Sequence, residues 1–338
     1  MVDQVRGRLV RAAVVVGLMG VGFAGGWVLH GAPFARDASG TERQAHRLGR
    51  LTSPFLECVG QINADRGLVR VRTAVLRYIR QAQQRDPSLR VSVYARDLNN
   101  GPWIGIDEQA AEYTPASLWK VPLMLYILTL SEGDPDLLDR EILFPGPEHM
   151  KREDTVVGAP GEVRMQPGRR YAVRELLFRM IANSDNHAEE LLLTGIAKAD
   201  VDRLLYAINA SDSYVSGEPM INARTYASLF RVLYNATLVS RPRSEFALGL
   251  LTRSYFRNGL RRHIPEDVEV ASKFGLYVRP GSGARETQLH ECGIVYHPRS
   301  PYILCVLTKS ASASPDRLSD VLATVSRLVW EGKQPDRP

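Results

Sequence analysis

The chain has 338 residues, 44% hydrophobic and 24% charged, a composition that suits one large or two small globular domains and excludes a repeat array or a chain dominated by disorder. Its formal charge is +6. No nucleic-acid motif and no interleaving of basic and aromatic residues accompanies that charge, so it reads as a basic surface that tolerates anionic cell-surface polymers.

At the N-terminus, Arg6, Arg8 and Arg11 precede a stretch from Ala12 to Leu29 that carries no charge. Residues 12–32 are expected to be a membrane anchor or a signal segment. No Ala-x-Ala cleavage site precedes Arg36, which favours an uncleaved anchor. The basic flank, 1–11, is then cytoplasmic by the positive-inside bias, and the rest is extracytoplasmic, or secreted if the segment is cut. Residues 33–55 read as a linker, and 56–338 as one folded domain.

Leu68–Gln84 has helical apolar spacing. Val91–Arg96 alternates, ends in the turn signature Asn99-Asn100-Gly101-Pro102, and returns as a strand over Trp103–Ile106. Ser117 heads the next helix, whose run Leu123–Leu130 is apolar all round and so predicts burial on every side. Residues 141–170 read mostly as loop. Helices are predicted over Val173–Ile181, Asn186–Leu193, Tyr226–Tyr234 and Glu245–Leu251. Val268–Gly275 is a predicted strand. A hairpin around Arg299 supplies two more strands and sets Cys292 opposite Cys305. Leu318–Trp330 closes the chain as an amphipathic helix. Of the three cysteines, Cys292 and Cys305 are expected to pair in an oxidising compartment, with Cys58 as a competing partner and three free thiols as the alternative. No spacing suits a zinc site, and no cofactor is implied. The order of elements predicts an α+β fold: an antiparallel sheet flanked by helices, built from the first and last segments, plus an all-helical lobe from the middle. A site at the seam would follow.

Three short motifs carry chemistry. Ser117 and Lys120 are three apart, so a helix puts the hydroxyl and the amine on one face. A serine becomes a nucleophile when a neighbouring base takes its proton, and a lysine kept neutral by burial or a nearby cation can do so. Ser184-Asp185-Asn186 follows 67 residues after Ser117, and Lys273-Phe274-Gly275 begins 89 residues after Ser184. Ser184-Asp185-Asn186 read alone is equally a helix N-cap. In this order the three motifs resemble Ser-x-x-Lys, Ser-Asp-Asn and Lys-Thr-Gly of class A β-lactamases and penicillin-binding proteins. From about residue 56 to its end the chain is similar to that superfamily of serine hydrolases, as a divergent member.

The resemblance implies acyl transfer through a covalent acyl-enzyme. Ser117 would attack the carbonyl of a β-lactam, or of a D-alanyl-D-alanine stem peptide of peptidoglycan, and Lys120 would accept or relay its proton. Ser184 would pass a proton to the leaving nitrogen. Asn186 would bind Lys120 and the substrate amide, and Lys273 the substrate carboxylate. Gly275 would let the strand come close, and the backbone N–H groups of Ser117 and Leu276 would form an oxyanion hole. The alternatives are a penicillin-binding-type peptidase or carboxypeptidase and a non-hydrolytic wall-binding relative. Two departures bear on the choice. Phe274 replaces the threonine whose hydroxyl the family uses to hold the substrate carboxylate. The loop from Ile208 to Ala223 is shorter than the omega loop that carries the deacylating glutamate in class A enzymes. Glu218, before Pro219, is its only echo there, and a turn glutamate is the competing reading.

Overall fold

A computed structural model describes residues 51–52, 66–99, 101–151, 164–208, 210, 213–215, 218–279 and 286–333. The segment 12–32, most of the linker 33–55, and Cys58 lie outside the described residues. Among the described residues no helix is long and apolar enough to cross a membrane.

Helix α1 (Arg66–Arg85) leads into strands β1 (Arg90–Asp97) and β2 (Trp103–Ile106). A 3-10 turn (Ala116–Trp119) then opens onto α2 (Lys120–Gly133). Next come β3 (Glu141–Leu143), β4 (Arg170–Ala172), α3 (Val173–Ala182), α4 (Asn186–Leu192) and α5 (Lys198–Ala207). They are followed by β5 (Ser213–Val215), β6 (Glu218–Met220), α6 (Ala223–Tyr234) and α7 (Arg241–Leu251). Strands β7 (Val270–Val278), β8 (Thr287–Val295) and β9 (Tyr302–Ser310) precede the closing helix α8 (Pro315–Gly332).

The main sheet has the order β2-β1-β9-β8-β7, with antiparallel pairing throughout. The first and last segments of the chain therefore share one sheet. Strand alternation sends Val93, Val270 and Phe274 to one face, where they meet the buried stripes Val71, Val75, Ile79 of α1 and Leu318, Leu322, Val325 of α8. Tyr94, Ala271, Cys292 and Cys305 belong to the opposite core, shared with the helical lobe. Within that lobe α2 is sheathed on all sides, as its apolar composition requires: Val121, Leu123, Met124, Leu125 and Leu128 are fully buried. Side chains at Asp185, Asn222 and Ser314 cap α4, α6 and α8 by accepting backbone N–H bonds.

The register opposes Cys292 to Cys305, and the two form a disulfide. The 141–170 stretch, expected as loop, contributes the short pair β3–β4, two three-residue strands too brief and too charged to show alternation. Helix α5 is absent from the sequence reading because its N-cap position is Ala197, with no side-chain cap, and only Val201 and Leu205 are buried. Helix α7 starts at Arg241 rather than Glu245, since Pro242 suits a first helical turn.

Candidate active site

The site is built on edge strand β7, on the 3-10 turn and on the turn between α3 and α4. Residues Tyr113 to Leu118 reach the sheet without joining it, and side chains from β8 hold them there. Gln288 Oε1 accepts the Thr114 N–H at 2.9 Å, and His290 Nε2 meets the Thr114 carbonyl at 3.1 Å. The Thr308 N–H donates to His290 Nδ1 at 3.2 Å. Nε2 therefore carries the ring proton and donates it to Thr114. Burial pushes the His290 pKa down to about 3, so the ring stays neutral and serves as a brace. On the helical side, the Tyr226 hydroxyl donates to the Leu118 carbonyl at 2.8 Å, and the Ile221 N–H donates to the Tyr113 carbonyl at 2.9 Å.

The ties around Ala116 hold a strained backbone, and the turn before α4 is strained as well. Ala116, directly before Ser117, has φ of +49°, and Ser184 has φ of +58°. Each left-handed non-glycine residue costs on the order of 1–3 kcal/mol and persists only where its surroundings over-determine it. Gly275 explains how close the pieces come. A Cβ there would lie 3.0 Å from the Pro115 carbonyl oxygen and 3.2 Å from the Ser117 and Leu118 nitrogens. Strand β7 thus runs directly beside the N–H of the serine.

Lys120 and Lys273 are both fully buried. Lys120, the first residue of α2, donates from Nζ to the Ser184 carbonyl at 2.5 Å and to Asn186 Oδ1 at 2.8 Å, with Ser184 Oγ 3.5 Å away. Lys273 Nζ donates to Ser184 Oγ at 2.9 Å and to the Phe274 carbonyl at 3.0 Å. The Ser184 hydroxyl therefore stands between two amines. Burial first, and then the charge of Lys120, holds the Lys273 pKa well below the usual lysine range, with Glu189 and Glu291 opposing that shift. The N-cap is Asp185, whose side chain accepts the Ala188 N–H at 3.0 Å. Capping and site-building are thus divided between neighbours: Asp185 starts the helix, and Ser184 and Asn186 meet the lysines.

Phe274 packs. It is 8% exposed, stacks on Phe256 at 4.6 Å between centroids and meets Tyr255 edge-on at 5.3 Å. The Lys273 ammonium lies 4.4 Å from the same ring centroid. Where the family pattern has a hydroxyl, this chain presents an aromatic face to the lysine. Glu218 opens β6, paired backbone to backbone with Val215. Leu276 follows Gly275 on β7 and is 44% exposed, so the outer end of that strand is open to a ligand.

Sequence reasoning left four contributors out of the site, His290 among them as a strand histidine more often structural than catalytic. Gln288 and His290 lie two apart on one face of β8, but nothing in the sequence shows that this face receives Thr114. Tyr226 reads as a core aromatic. Glu189, 4% exposed, sits one turn beyond Asn186 with a carboxylate oxygen 3.5 Å from Lys120 Nζ; its i+3 spacing from Asn186 was the available signal.

The sequence profile described as the Beta-lactamase enzyme family matches residues 73–332. Among solved structures, a β-lactamase from Chitinophaga pinensis superposes with a TM-score of 0.66 at 19% identity, covering 78% of this chain and 100% of that one. The PBP-A mutant solved as an acyl-enzyme complex with penicillin G gives 0.64 at 19% identity, covering 78% and 96%. The TLA-1 extended-spectrum β-lactamase gives 0.67 at 14% identity, covering 79% and 99%. No curated protein sequence matches the chain.

Proposed function

The chain belongs to the β-lactamase enzyme family, and we propose that it is a serine hydrolase that forms an acyl-enzyme through Ser117 with β-lactams and opens their ring. One observation carries this reading: the Ser184 hydroxyl joins two fully buried lysines, Lys120 and Lys273, brought from three distant stretches of chain. Burying two lysine amines side by side is costly, and a purely structural core has no use for the arrangement.

In the proposed reaction the Lys120 amine takes the Ser117 proton as the serine oxygen bonds to the carbonyl carbon and the carbonyl π pair moves onto its oxygen. The N–H groups of Ser117 and Leu276 receive that oxyanion; one such donor is worth about 3 kcal/mol. As the C–N bond breaks, Ser184 gives its proton to the leaving nitrogen and recovers one from a neighbouring lysine. Lys273 holds the substrate carboxylate, and Asn186 orients both Lys120 and the substrate amide. Glu218 is the candidate for activating the deacylating water.

A second reading, a penicillin-binding-type peptidase acting on peptidoglycan stems, is favoured by Phe274, which offers no hydroxyl to the carboxylate. In it the acyl-enzyme persists. Incubation with a chromogenic cephalosporin, followed by absorbance and intact mass, separates the two. Steady colour development supports hydrolysis, and a stable adduct supports the peptidase. An adduct that survives Ser117→Ala refutes both. We further propose an extracytoplasmic location, tethered through residues 12–32. The uncharged run after Arg11 and the Cys292–Cys305 disulfide support it.

A further inference from the structure

We propose that Glu189 is a positioning residue for the acyl-transfer pair: its carboxylate, carried on the same helix as Asn186, is the counter-charge that fixes Lys120 and governs how readily its amine takes and releases a proton. The proposal rests on the reading of Ser117 and Lys120 as that pair. Neither the family motifs nor the chemistry derived above assigns Glu189 a role.

The geometry is specific. Glu189 and Lys120 have side chains 5% and 0% exposed, and their charged atoms lie 3.5 Å apart. Asn186 Oδ1 reaches the same amine at 2.8 Å. Residues i and i+3 of α4 thus grip one ammonium from one helix face, and Asp185 anchors that helix through its cap. The charged groups acting on this pocket come from three elements. Among the described residues they are Lys273 on β7, Glu189 on α4, and Glu291 on β8, the last two acting also on Lys273. An ammonium buried beside a second amine is stabilised by a buried anion. Glu291 is engaged elsewhere, accepting from Ser272 Oγ at 2.6 Å and from the Leu260 N–H at 2.7 Å. Among the described residues, Glu189 is a carboxylate in contact with the base itself. It need not touch substrate: it exchanges no electrons, and the proton that Lys120 sheds to become a base goes to solvent.

The test is the protonation of Lys120 in the full-length chain. Lysine 13Cε signals are followed against pH, with Lys120 assigned by its loss in Lys120→Arg. A unit charge at this separation shifts a titration by roughly three pH units before compensation, so Glu189→Gln should lower the Lys120 midpoint by at least about one unit. The rising limb of Ser117 acylation by a fluorescent penicillin should move to lower pH by the same amount. Glu189→Asp keeps the charge and should restore most of both. A midpoint unmoved in Glu189→Gln overturns the proposal, whatever happens to activity. If Glu189→Gln does not fold, Glu189→Ala, which also removes the charge, should lower the midpoint by as much, and an unmoved midpoint there also refutes it. A wild-type chain that is never acylated would refute the proposed function, while the titration would still decide the role of Glu189.

Discussion

Glu291 offers a measurement that depends on the fold alone. Its carboxyl is fully buried, and burial raises its pKa from 4.5 to about 7 against the opposing bonds from Ser272 and Leu260. Below pH 4.5 the group is protonated in folded and unfolded chains alike and costs nothing. Between 4.5 and 7 the unfolded chain ionises while the folded one stays neutral, so stability is lost as pH rises. Above 7 the loss is complete, at about 3 kcal/mol. Glu291→Gln keeps the shape and both hydrogen bonds, since the amide oxygen can accept from Leu260 and the amide nitrogen can donate to the Ser272 hydroxyl. Urea unfolding of both proteins at pH 5 and pH 8 is the assay. The variant should gain roughly 2–3 kcal/mol relative to wild type on going from pH 5 to pH 8. A wild-type-to-variant difference equal at the two pH values would show that Glu291 is not held neutral, and the electrostatic account of β8 would be wrong.

Gly275→Ala sets a methyl within 3.0–3.2 Å of the Pro115, Ser117 and Leu118 backbone. Acylation of Ser117 should fall about 100-fold while the melting curve moves little, because the serine and its N–H are displaced from the strand; an unchanged acylation rate would contradict the close approach. Replacing both Cys292 and Cys305 by serine opens a loop of 13-residue separation and should cost about 3 kcal/mol in denaturant unfolding under non-reducing conditions. Asp185→Ala removes the cap of α4; it should cost about 1 kcal/mol of stability and slow acylation, because that helix start carries Asn186. Phe274→Ala removes a stacked aromatic from the core shared by α1 and α8 and should cost about 3–5 kcal/mol, read by the same unfolding assay.

Much of this was legible in the chain. Periodicity located most long helices because α1 and α8 each bury one stripe against a sheet, and a one-sided environment leaves a one-sided pattern. The hairpin at Arg299 opposed the cysteines, because antiparallel register follows from the turn. Ser117 and Lys120, Ser184 and Asn186, and Lys273 were chosen because their three motifs resemble those of class A β-lactamases and penicillin-binding proteins, and the two lysines and Ser184 do meet. Side chains that act across the fold left no such trace. His290 and Gln288 brace Thr114 over more than 170 residues of intervening chain. Glu189 is one of two adjacent acids in the sequence, and only the tertiary fold brings its buried carboxylate to Lys120. Sequence determined which groups exist and which neighbours along the chain share a face, since both follow from covalent order and local geometry. Tertiary structure decided which of them lose their water and whose charge they then feel, because desolvation depends on everything folded around a group.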